Sequence, residues 1–571
     1  MWKGGGKVIQ RLHPTNLVQV GCTVLLAGLV LYPLFWLFMG SFQSDPRSFS
    51  FTFKAYTNIL AVPFLGEIIF NTAAMAVGAT ALAVLMGVPM AWIVGRTDTP
   101  FKELLTLVAL IPFITPPLVG AISWYYLATP NVGYINVFWK WVTGSKVPIF
   151  DIFTLKGLIW VMGLYVTPYV FIFTSIALRN MDPALENAAY VAGGGPLSTT
   201  LRVTLPLVAP AILSGALLAF IQSLEMFAIP AAIGVPGDIY VFTTEIWRML
   251  LGLPPKYAEA AALCVPLFLV SGLALWGQYR FMGKGRQYTT VGGKGHRPRV
   301  ISLGRWRYVA LAFTLFYLLM STGLPYLTLI YGSLIKARGL APTWENLTLL
   351  HLWEVIAGDS RPLVFRAIKN SLILGFAGAT LGVGLSTVVA YVIHRTRWRG
   401  RAFLDFLSLI PLAIPGAVIA IGLLWAYVRP PFELYGTLTI LLLAYITRFI
   451  PFGVRAVGNS ILQVSEELEK AAYVSGAPWG TMFRKILVPL LLPGIVAGWV
   501  LIFVSMMREL SASIMLYGFQ KETLAVALFL IWDEGRFEYV SILALLIAFL
   551  SLVPVALVRR FVRLDETREI F

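Results

Sequence analysis

Charged residues are scarce in this 571-residue sequence. Asp, Glu, Lys and Arg make up 12% of it, whereas a soluble domain carries roughly 25%. Cysteine and histidine are scarcer still: Cys22 and Cys264 fall in apolar runs, and the four scattered histidines lack metal-ligand spacing. These absences argue against a disulfide framework and a metal centre. We therefore expect neither a metal site nor a cofactor.

Catalytic motifs are missing as well. No segment has the form G-x-x-x-x-G-K-[ST] of a phosphate-binding loop, and no segment combines a nucleophile with a base. We expect no catalytic residues, and any ATP hydrolysis linked to this protein should occur on a separate chain.

Apolar residues make up 58% of the sequence. They form runs of about 20 residues, enough to cross a hydrocarbon core about 30 Å thick. Barrel strands would alternate between polar and apolar residues, so helices are expected. The sequence predicts an all-α integral membrane protein with about twelve transmembrane helices, near residues 17–40, 67–95, 103–128, 157–179, 207–231, 258–279, 308–334, 368–394, 402–428, 437–460, 490–516 and 539–558.

The formal net charge of +17 lies mostly in short loops. The excess of positive charge in cytoplasmic loops explains it better than nucleic-acid binding does. Residues 281–307 form the most basic stretch, and both terminal segments are basic too. With six helices on either side of this linker, all three basic segments share one side. We predict a multi-pass protein of the lipid bilayer with cytoplasmic N- and C-termini and no nucleic-acid partner.

The two sets of six helices are repeats. Asn71-Thr72 matches Asn370-Ser371 at an offset of 299, and Ala188-Ala189 matches Ala471-Ala472 at an offset of 283. The difference places 16 extra residues in the first half, around 129–156. An even number of helices per half makes the repeats parallel, so a path can run along their interface; duplication without a path is the alternative. The predicted units are 1–280, a flexible basic linker at 281–307, and 308–571.

Two loops are predicted to hold short helices, at 183–193 and 466–476. Asp182 and Ser465 suit helix N-caps, while Gly193 and Gly476 suit a left-handed position after the C-terminus. About ten residues cannot span a bilayer, so each helix should lie at the cytoplasmic surface. The paired alanines would give a low face on which a larger body can pack. An ordinary interfacial helix is the alternative, which the duplication disfavours.

These loops resemble the signature of the membrane subunits of binding-protein-dependent ABC importers: Glu-Ala-Ala, three residues, Gly, nine residues, then Ile-x-Leu-Pro. Val203–Pro206 and Ile486–Pro489 follow each glycine at that spacing. The sequence departs from the signature at Asn187 and Lys470, which replace its Glu. The resemblance implies helices that couple to an ATPase, with the preceding Glu186 and Glu469 supplying the acidic contact. The implied coupling residues are Glu186, Ala188, Ala189, Gly193, Glu469, Ala471, Ala472 and Gly476.

The same resemblance implies partners and a location. They are homodimeric ATP-binding subunits, a periplasmic or lipoprotein solute-binding protein, and the bacterial inner membrane. Two fused copies resemble the ferric-iron importers and the related thiamine and aminoethylphosphonate systems. Ferric iron is therefore the first expected cargo, with thiamine, phosphonates and polyamines as alternatives. A secondary transporter driven by an ion gradient is the other class, but it would have no use for coupling helices.

Two glutamates fall late in apolar segments. Glu225 lies in the fifth predicted helix and Glu509 in the eleventh, and an acidic residue inside a membrane helix suggests a functional site. Two hypotheses stay open for them. They line a translocation path and attract a cation such as ferric iron, or they are structural partners of residues such as Arg508.

Overall fold

The computed structural model describes residues 14–43, 50–145, 147–285, 300–337, 343–358 and 361–568. Within these ranges the regular structure is helical, and the only β-type pairing is three isolated bridges. Helices satisfy their backbone groups internally, which hydrocarbon requires. Residues 286–299, the middle of the predicted flexible linker, lie outside the described residues.

The described residues of the first half form thirteen α-helices. They are α1 (Pro14–Ser41), α2 (Lys54–Leu60), α3 (Leu65–Arg96), α4 (Lys102–Val108), α5 (Ile111–Ile114), α6 (Pro117–Ala128), α7 (Tyr134–Thr143), α8 (Leu155–Asn180), α9 (Pro183–Val191), α10 (Pro196–Thr199), α11 (Leu205–Glu225), α12 (Phe242–Leu251) and α13 (Tyr257–Gly285).

In the second half, the part of the chain that the structure describes forms fourteen. They are α14 (Trp306–Leu318), α15 (Leu324–Leu334), α16 (Leu350–Ala357), α17 (Arg361–Arg395), α18 (Arg401–Leu409), α19 (Gly416–Tyr427), α20 (Leu438–Gln463), α21 (Glu466–Val474), α22 (Trp479–Met482), α23 (Val488–Leu490), α24 (Leu492–Met507), α25 (Ser513–Leu516), α26 (Leu524–Asp533) and α27 (Phe537–Arg568).

Among the described residues, nine helices are long and apolar enough to cross a membrane, and three bent pairs bring the total to as many as twelve. Each falls on one of the predicted apolar segments, so the all-α membrane fold is confirmed. A single span would be one straight helix, but segments 103–128 and 402–428 each form two helices. The chain bends by 98° between the helices of the first segment and by 108° between those of the second. Thr115 and Ile414 are extended at these bends, because a residue that precedes proline disfavours the helical region.

The fifth and eleventh spans end earlier than predicted. Helix α11 stops at Glu225 and α24 at Met507, rather than near 231 and 516. Both spans contain a π-helical turn near their start at equivalent positions, Thr200–Thr204 after α10 and Phe483–Leu487 after α22. The eleventh span is also bent by 73° at Leu491, between α23 and α24.

The halves are interlocked rather than side by side. In the first half, α3, α8 and α11 pack together, as α17, α20 and α24 do in the second. The first span of each half packs on the other half: α1 packs on α19, and α15, the second part of the span Trp306–Leu334, packs on α6. Gly40 faces the Trp425 ring so closely that a β-carbon would overlap it. The division at 281–307 stays a prediction, and the halves on either side of it share a packed interface.

The end of the linker is tied to the first half. Ile301 N–H donates to the carbonyl oxygen of Arg96 at 2.7 Å, and Asp98 N–H donates back to Ile301 at 3.1 Å. The Asp98 carboxylate accepts from Leu303 N–H at 2.9 Å and from the Ser302 hydroxyl at 3.1 Å. The backbone donor holds the pKa of Asp98 below its ordinary value. The prediction of a flexible linker is therefore wrong for residues 300–303.

Candidate functional site: a buried charge cluster and two signature helices

Glu225 and Glu509 lie together at the interface of the halves. Glu225 is the last residue of α11, and Glu509 is the second residue after α24. Both side chains are buried, and both contact Arg448 of α20. Arg448 Nη2 lies 3.2 Å from Glu225 Oε1, and Arg448 Nε lies 3.3 Å from Glu509 Oε2. One guanidinium of the second half thus bridges a carboxylate from each half.

Each carboxylate is also fixed by an uncharged donor. Gln222 Nε2 donates to Glu225 Oε1 at 2.6 Å, and the Tyr169 hydroxyl donates to Gln222 Oε1 at 2.9 Å. Glu509 Oε1 accepts from Ala512 N–H at 2.8 Å, where the chain turns after α24. The carboxylates are held in fixed positions by these bonds, which favours a defined site over a disordered charge.

The partner of the glutamates is Arg448, not Arg508 as one hypothesis suggested. Arg508 Nη1 instead donates to the carbonyl oxygen of Phe113, across the interface in the first half, and its guanidinium lies over the Phe113 ring. Arg448 was not among the residues predicted from the sequence. An arginine within the apolar run 437–460 is as unusual as a glutamate, and that was the available signal.

A cavity of about 90 Å³ opens onto these groups. Two carboxylates and two guanidiniums line it, so their formal charges cancel in this conformation. The described residues contain no group of three or more His, Cys, Asp or Glu side chains able to hold a metal ion. Both carboxylates of the cavity are in contact with Arg448 in this conformation. Its lining also includes Phe113, Pro117, Tyr169, Gln222, Met226, Pro411, Phe449, Phe452, Ser505 and Ser511.

The repeated Asn-Thr and Asn-Ser motif positions the segments that follow the glutamates. Asn71 donates to the Tyr240 carbonyl oxygen at 3.3 Å, and Asn370 donates to that of Glu522 at 3.0 Å. Thr72 accepts from the N–H that begins α12, at 3.0 Å, and Ser371 from the N–H that begins α26, at 2.7 Å. In both halves the motif therefore holds the start of a later helix, α12 or α26, against α3 or α17.

The two short helices form where the sequence predicts them, as α9 and α21. Asp182 and Ser465 cap their first turns by accepting from Ala184 N–H and Glu467 N–H. Gly193 and Gly476 adopt φ of +84° and +80°. Gly194 N–H donates to the Ala189 carbonyl oxygen, and Ala477 N–H donates to that of Ala472. Each is the hydrogen bond from residue 6 to residue 1 of a Schellman motif. We call α9 and α21 the signature helices.

The glutamates of the signature helices point inward. Glu186 is buried against Arg96, with Nε to Oε1 at 3.5 Å, and accepts from the Thr204 hydroxyl at 2.8 Å. Glu469 is buried against Arg395, at 3.0 Å. Burial raises the pKa of Glu469, and Arg395 opposes that shift. These carboxylates tie each signature helix to the end of α3 or α17, and in this conformation they do not lie on the outer face where an ATPase contact was expected.

The outer faces are small and apolar. Ala188 and Ala471 are exposed, Ala189 is half-buried and Ala472 is buried. Val191 and Val474 are 90% and 89% exposed at equivalent positions. Leu185 and Leu468 are also exposed. Each signature helix thus presents an exposed apolar stripe outside the bundle, a feature typical of a docking surface.

Each of the two repeats matches a known protein family. The family described as "Binding-protein-dependent transport system inner membrane component" matches residues 83–282 and again 378–564. The chain belongs to this family. The permease is a non-enzymatic, multi-pass subunit of an ABC importer in the inner membrane, and its ATPase and its solute-binding protein are partner chains.

Several relatives of the permease carry both repeats. It is 26% identical over 495 residues to the ferric transport system permease protein FbpB of Actinobacillus pleuropneumoniae, covering 86% of this chain and 70% of that one. It is 25% identical to the Fe(3+)-transport system permease protein FbpB 2 of Haemophilus influenzae, covering 88% and 91%. The spermidine/putrescine permease PotC of Escherichia coli is 28% identical over 43% of this chain and 90% of its own.

One solved structure, a bacterial ABC transporter involved in the import of the acidic polysaccharide alginate, aligns with the permease at a TM-score of 0.37 and 20% identity. The alignment covers 47% of this chain and 93% of that one.

Proposed function

We propose that this permease forms the translocation path of a ferric-iron importer. A binding protein delivers the cargo at the end of the bundle opposite the signature helices, and homodimeric ATPase subunits dock on α9 and α21. Both termini then lie in the cytoplasm. The path runs between the halves, past Glu225 and Glu509.

The observation that carries the cargo assignment is the extent of the match. Relatives named for ferric transport align over 86% and 88% of this chain, and so share its fused two-half form. The polyamine relatives PotB and PotC align over 41% and 43%, one half only. Percentage identity does not separate the two groups. Carboxylate oxygens such as those of Glu225 and Glu509 are the ligands that hard cations prefer, so iron would suit them once Arg448 moves away.

Polyamine import is the second candidate. PotC is slightly more identical to this chain, at 28%, than the ferric relatives are. Two carboxylates beside aromatic side chains such as Phe449 also suit an alkylammonium ion. Both candidate cargoes are thus cations. They differ in how they bind, since iron is coordinated by oxygen ligands and a polyamine is not.

The coupling role rests on the matched geometry of the two signature helices. Each offers an apolar outer stripe to a partner and is held from inside by a glutamate–arginine pair. A push on α9 would reach α3 through Glu186 and Arg96, and a push on α21 would reach α17 through Glu469 and Arg395. Because the two helices are built alike, two identical ATPase subunits are the simplest partners.

Uptake into proteoliposomes that contain the permease and its ATPase tests the proposal. We expect radiolabelled ferric iron, presented on its binding protein, to accumulate with ATP, and excess spermidine to leave that uptake unchanged. Accumulation of labelled spermidine instead would transfer the assignment to polyamines. A control without the ATPase subunit should show neither ATP hydrolysis nor uptake, because the family places hydrolysis on the partner chain.

A further inference from the structure

Arg448, whose side chain is only 11% exposed, occupies the position that a cationic cargo would take. Its guanidinium lies between Glu225 and Glu509, within 3.2 and 3.3 Å of one oxygen of each. Its remaining nitrogen, Nη1, is buried and has no hydrogen-bond partner among the described residues. A cation could not bind both carboxylates while this side chain remains between them.

One contact of Arg448 stays within its own half, and the other crosses to the first half. Arg448 on α20 and Glu509 after α24 belong to the same half, and these two helices pack together. Glu225 on α11 belongs to the other half. If the halves separate along their interface, the contact with Glu225 breaks and the contact with Glu509 persists. Separation therefore frees one carboxylate, that of Glu225, and leaves the other neutralised.

We propose that Arg448 is a built-in counter-cation that holds the path closed by pairing across the halves with Glu225, and that it yields this carboxylate to a cationic cargo when the halves separate. The proposal rests on the path described under Proposed function. Arg448 is then a specificity-determining residue, since cargo must replace a guanidinium rather than enter an empty acidic cage. Neutral or anionic solutes gain nothing from that exchange.

The local packing agrees with a guanidinium kept in place by its surroundings. At Gly416 on α19, a β-carbon would overlap Arg448 Nη1. The equivalent position to Arg448 in the first half is Tyr165, whose hydroxyl faces Gly120 in the same manner. Among the residues that line the cavity, the cations Arg448 and Arg508 both come from the second half, and Arg448 is the one that contacts both carboxylates.

The test is resting ATP hydrolysis, without binding protein, by proteoliposomes that contain the permease and its ATPase. We expect Arg448→Gln and Glu225→Gln each to raise the resting rate about fivefold or more, and the double variant to raise it no further. Glu509→Gln should raise it less. Arg448→Lys keeps the charge but cannot bridge two carboxylates, and should give an intermediate rate.

Arg455→Gln is the matched control, because Arg455 lies on the same helix and pairs with Asp405 at 3.2 Å, outside the cavity; its resting rate should stay that of the wild type. Unchanged resting rates in both Arg448→Gln and Glu225→Gln, with thermal stability retained, would overturn the proposal. If Arg448→Gln loses thermal stability, Arg448→Lys and Glu225→Gln decide, and wild-type rates in both would overturn it too. Failure of the wild type to take up iron would refute the ferric assignment instead, and the resting rates would still be measurable.

Discussion

The two halves of the permease are alike at one end and unlike in the middle. At the signature helices, Glu186 pairs with Arg96 as Glu469 pairs with Arg395, and Gly193 matches Gly476 in backbone conformation. At the centre, Arg448 of the second half has only Tyr165 as its counterpart. A duplicated chain keeps its symmetry where two identical partners would dock. It loses symmetry where we propose that the cargo passes between the halves.

The largest expected effect comes from breaking both signature helices. Gly193→Asp with Gly476→Asp should abolish uptake while the chain stays in the membrane. The cost of a left-handed residue is about 1–2 kcal/mol at each site, and the new carboxylate is repelled by the C-terminal end of the helix. Uptake and ATPase pull-down are the measurements.

The surroundings of the two glycines make this a clean test. A β-carbon at either position meets nothing within 4 Å, so the effect comes from backbone conformation and charge rather than overlap. Gly195→Asp is the control, since Gly195 is equally open but has a φ of −75°. If the double variant takes up iron normally, these helices are not coupling elements.

Removing both central carboxylates should have the next largest effect. Glu225→Gln with Glu509→Gln keeps shape and deletes charge, so iron uptake should fall steeply while the binding protein still stimulates the ATPase. A purely structural role predicts a different outcome: Arg448 left unpaired would lower stability by about 3–5 kcal/mol. A melting curve and an uptake assay on the same preparation separate the two. Normal uptake with normal stability would refute both roles.

The glutamate–arginine pairs of the signature helices should differ in strength, although they match in position. Arg395 also donates to the carbonyl oxygens of Ile461 and Val464, whereas the nitrogens of Arg96 have no other hydrogen-bond partner among the described residues. Glu186→Gln should therefore destabilise by about 3–5 kcal/mol and Glu469→Gln by less, as measured by thermal unfolding in detergent.

Glu466→Gln is the control for these pairs, since Glu466 contacts Arg395 from a mostly exposed position and an exposed ion pair contributes about 0–1 kcal/mol. Equal losses from Glu186→Gln and Glu469→Gln would mean that the extra bonds of Arg395 contribute nothing.

The smallest effect is expected at the linker. Asp98 receives the hydrogen bonds of Ser302 and Leu303, and Arg397 stands at its position in the second half. Asp98→Arg makes the halves alike here and should release residues 300–303, giving faster proteolysis of the linker with little change in uptake. An unchanged cleavage rate would show that the backbone bonds of Ile301 alone hold the segment.

The spans could be predicted from the sequence because hydrocarbon requires long apolar helices, and all twelve runs carry that signal. The bends at Thr115 and Ile414 were also accessible, since Pro116 and Pro415 follow them at the repeat offset. The inward direction of the Glu186 side chain could not be predicted from the sequence. It depends on Arg96, which lies 90 residues earlier in the sequence.

The bridge between Glu225, Arg448 and Glu509 was out of reach for a related reason. It joins three helices from two halves, and neither periodicity nor repeat offset encodes such a contact. Comparison of the repeats does not point to this bridge either, because the position equivalent to Arg448 in the first half is not an arginine. What a sequence conveys here is each unusual residue, not the pairing among them.

The most direct test of the account compares single variants across the halves in one assay. Uptake and resting ATP hydrolysis would be measured on the same proteoliposomes for Gly193→Asp, Gly476→Asp, Glu225→Gln and Glu509→Gln. We predict equal losses of uptake from the two glycine variants and a raised resting rate chiefly from Glu225→Gln. Equal resting rates from the two glutamate variants, or unequal losses from the two glycine variants, would contradict a permease that is symmetric in coupling and asymmetric in its path.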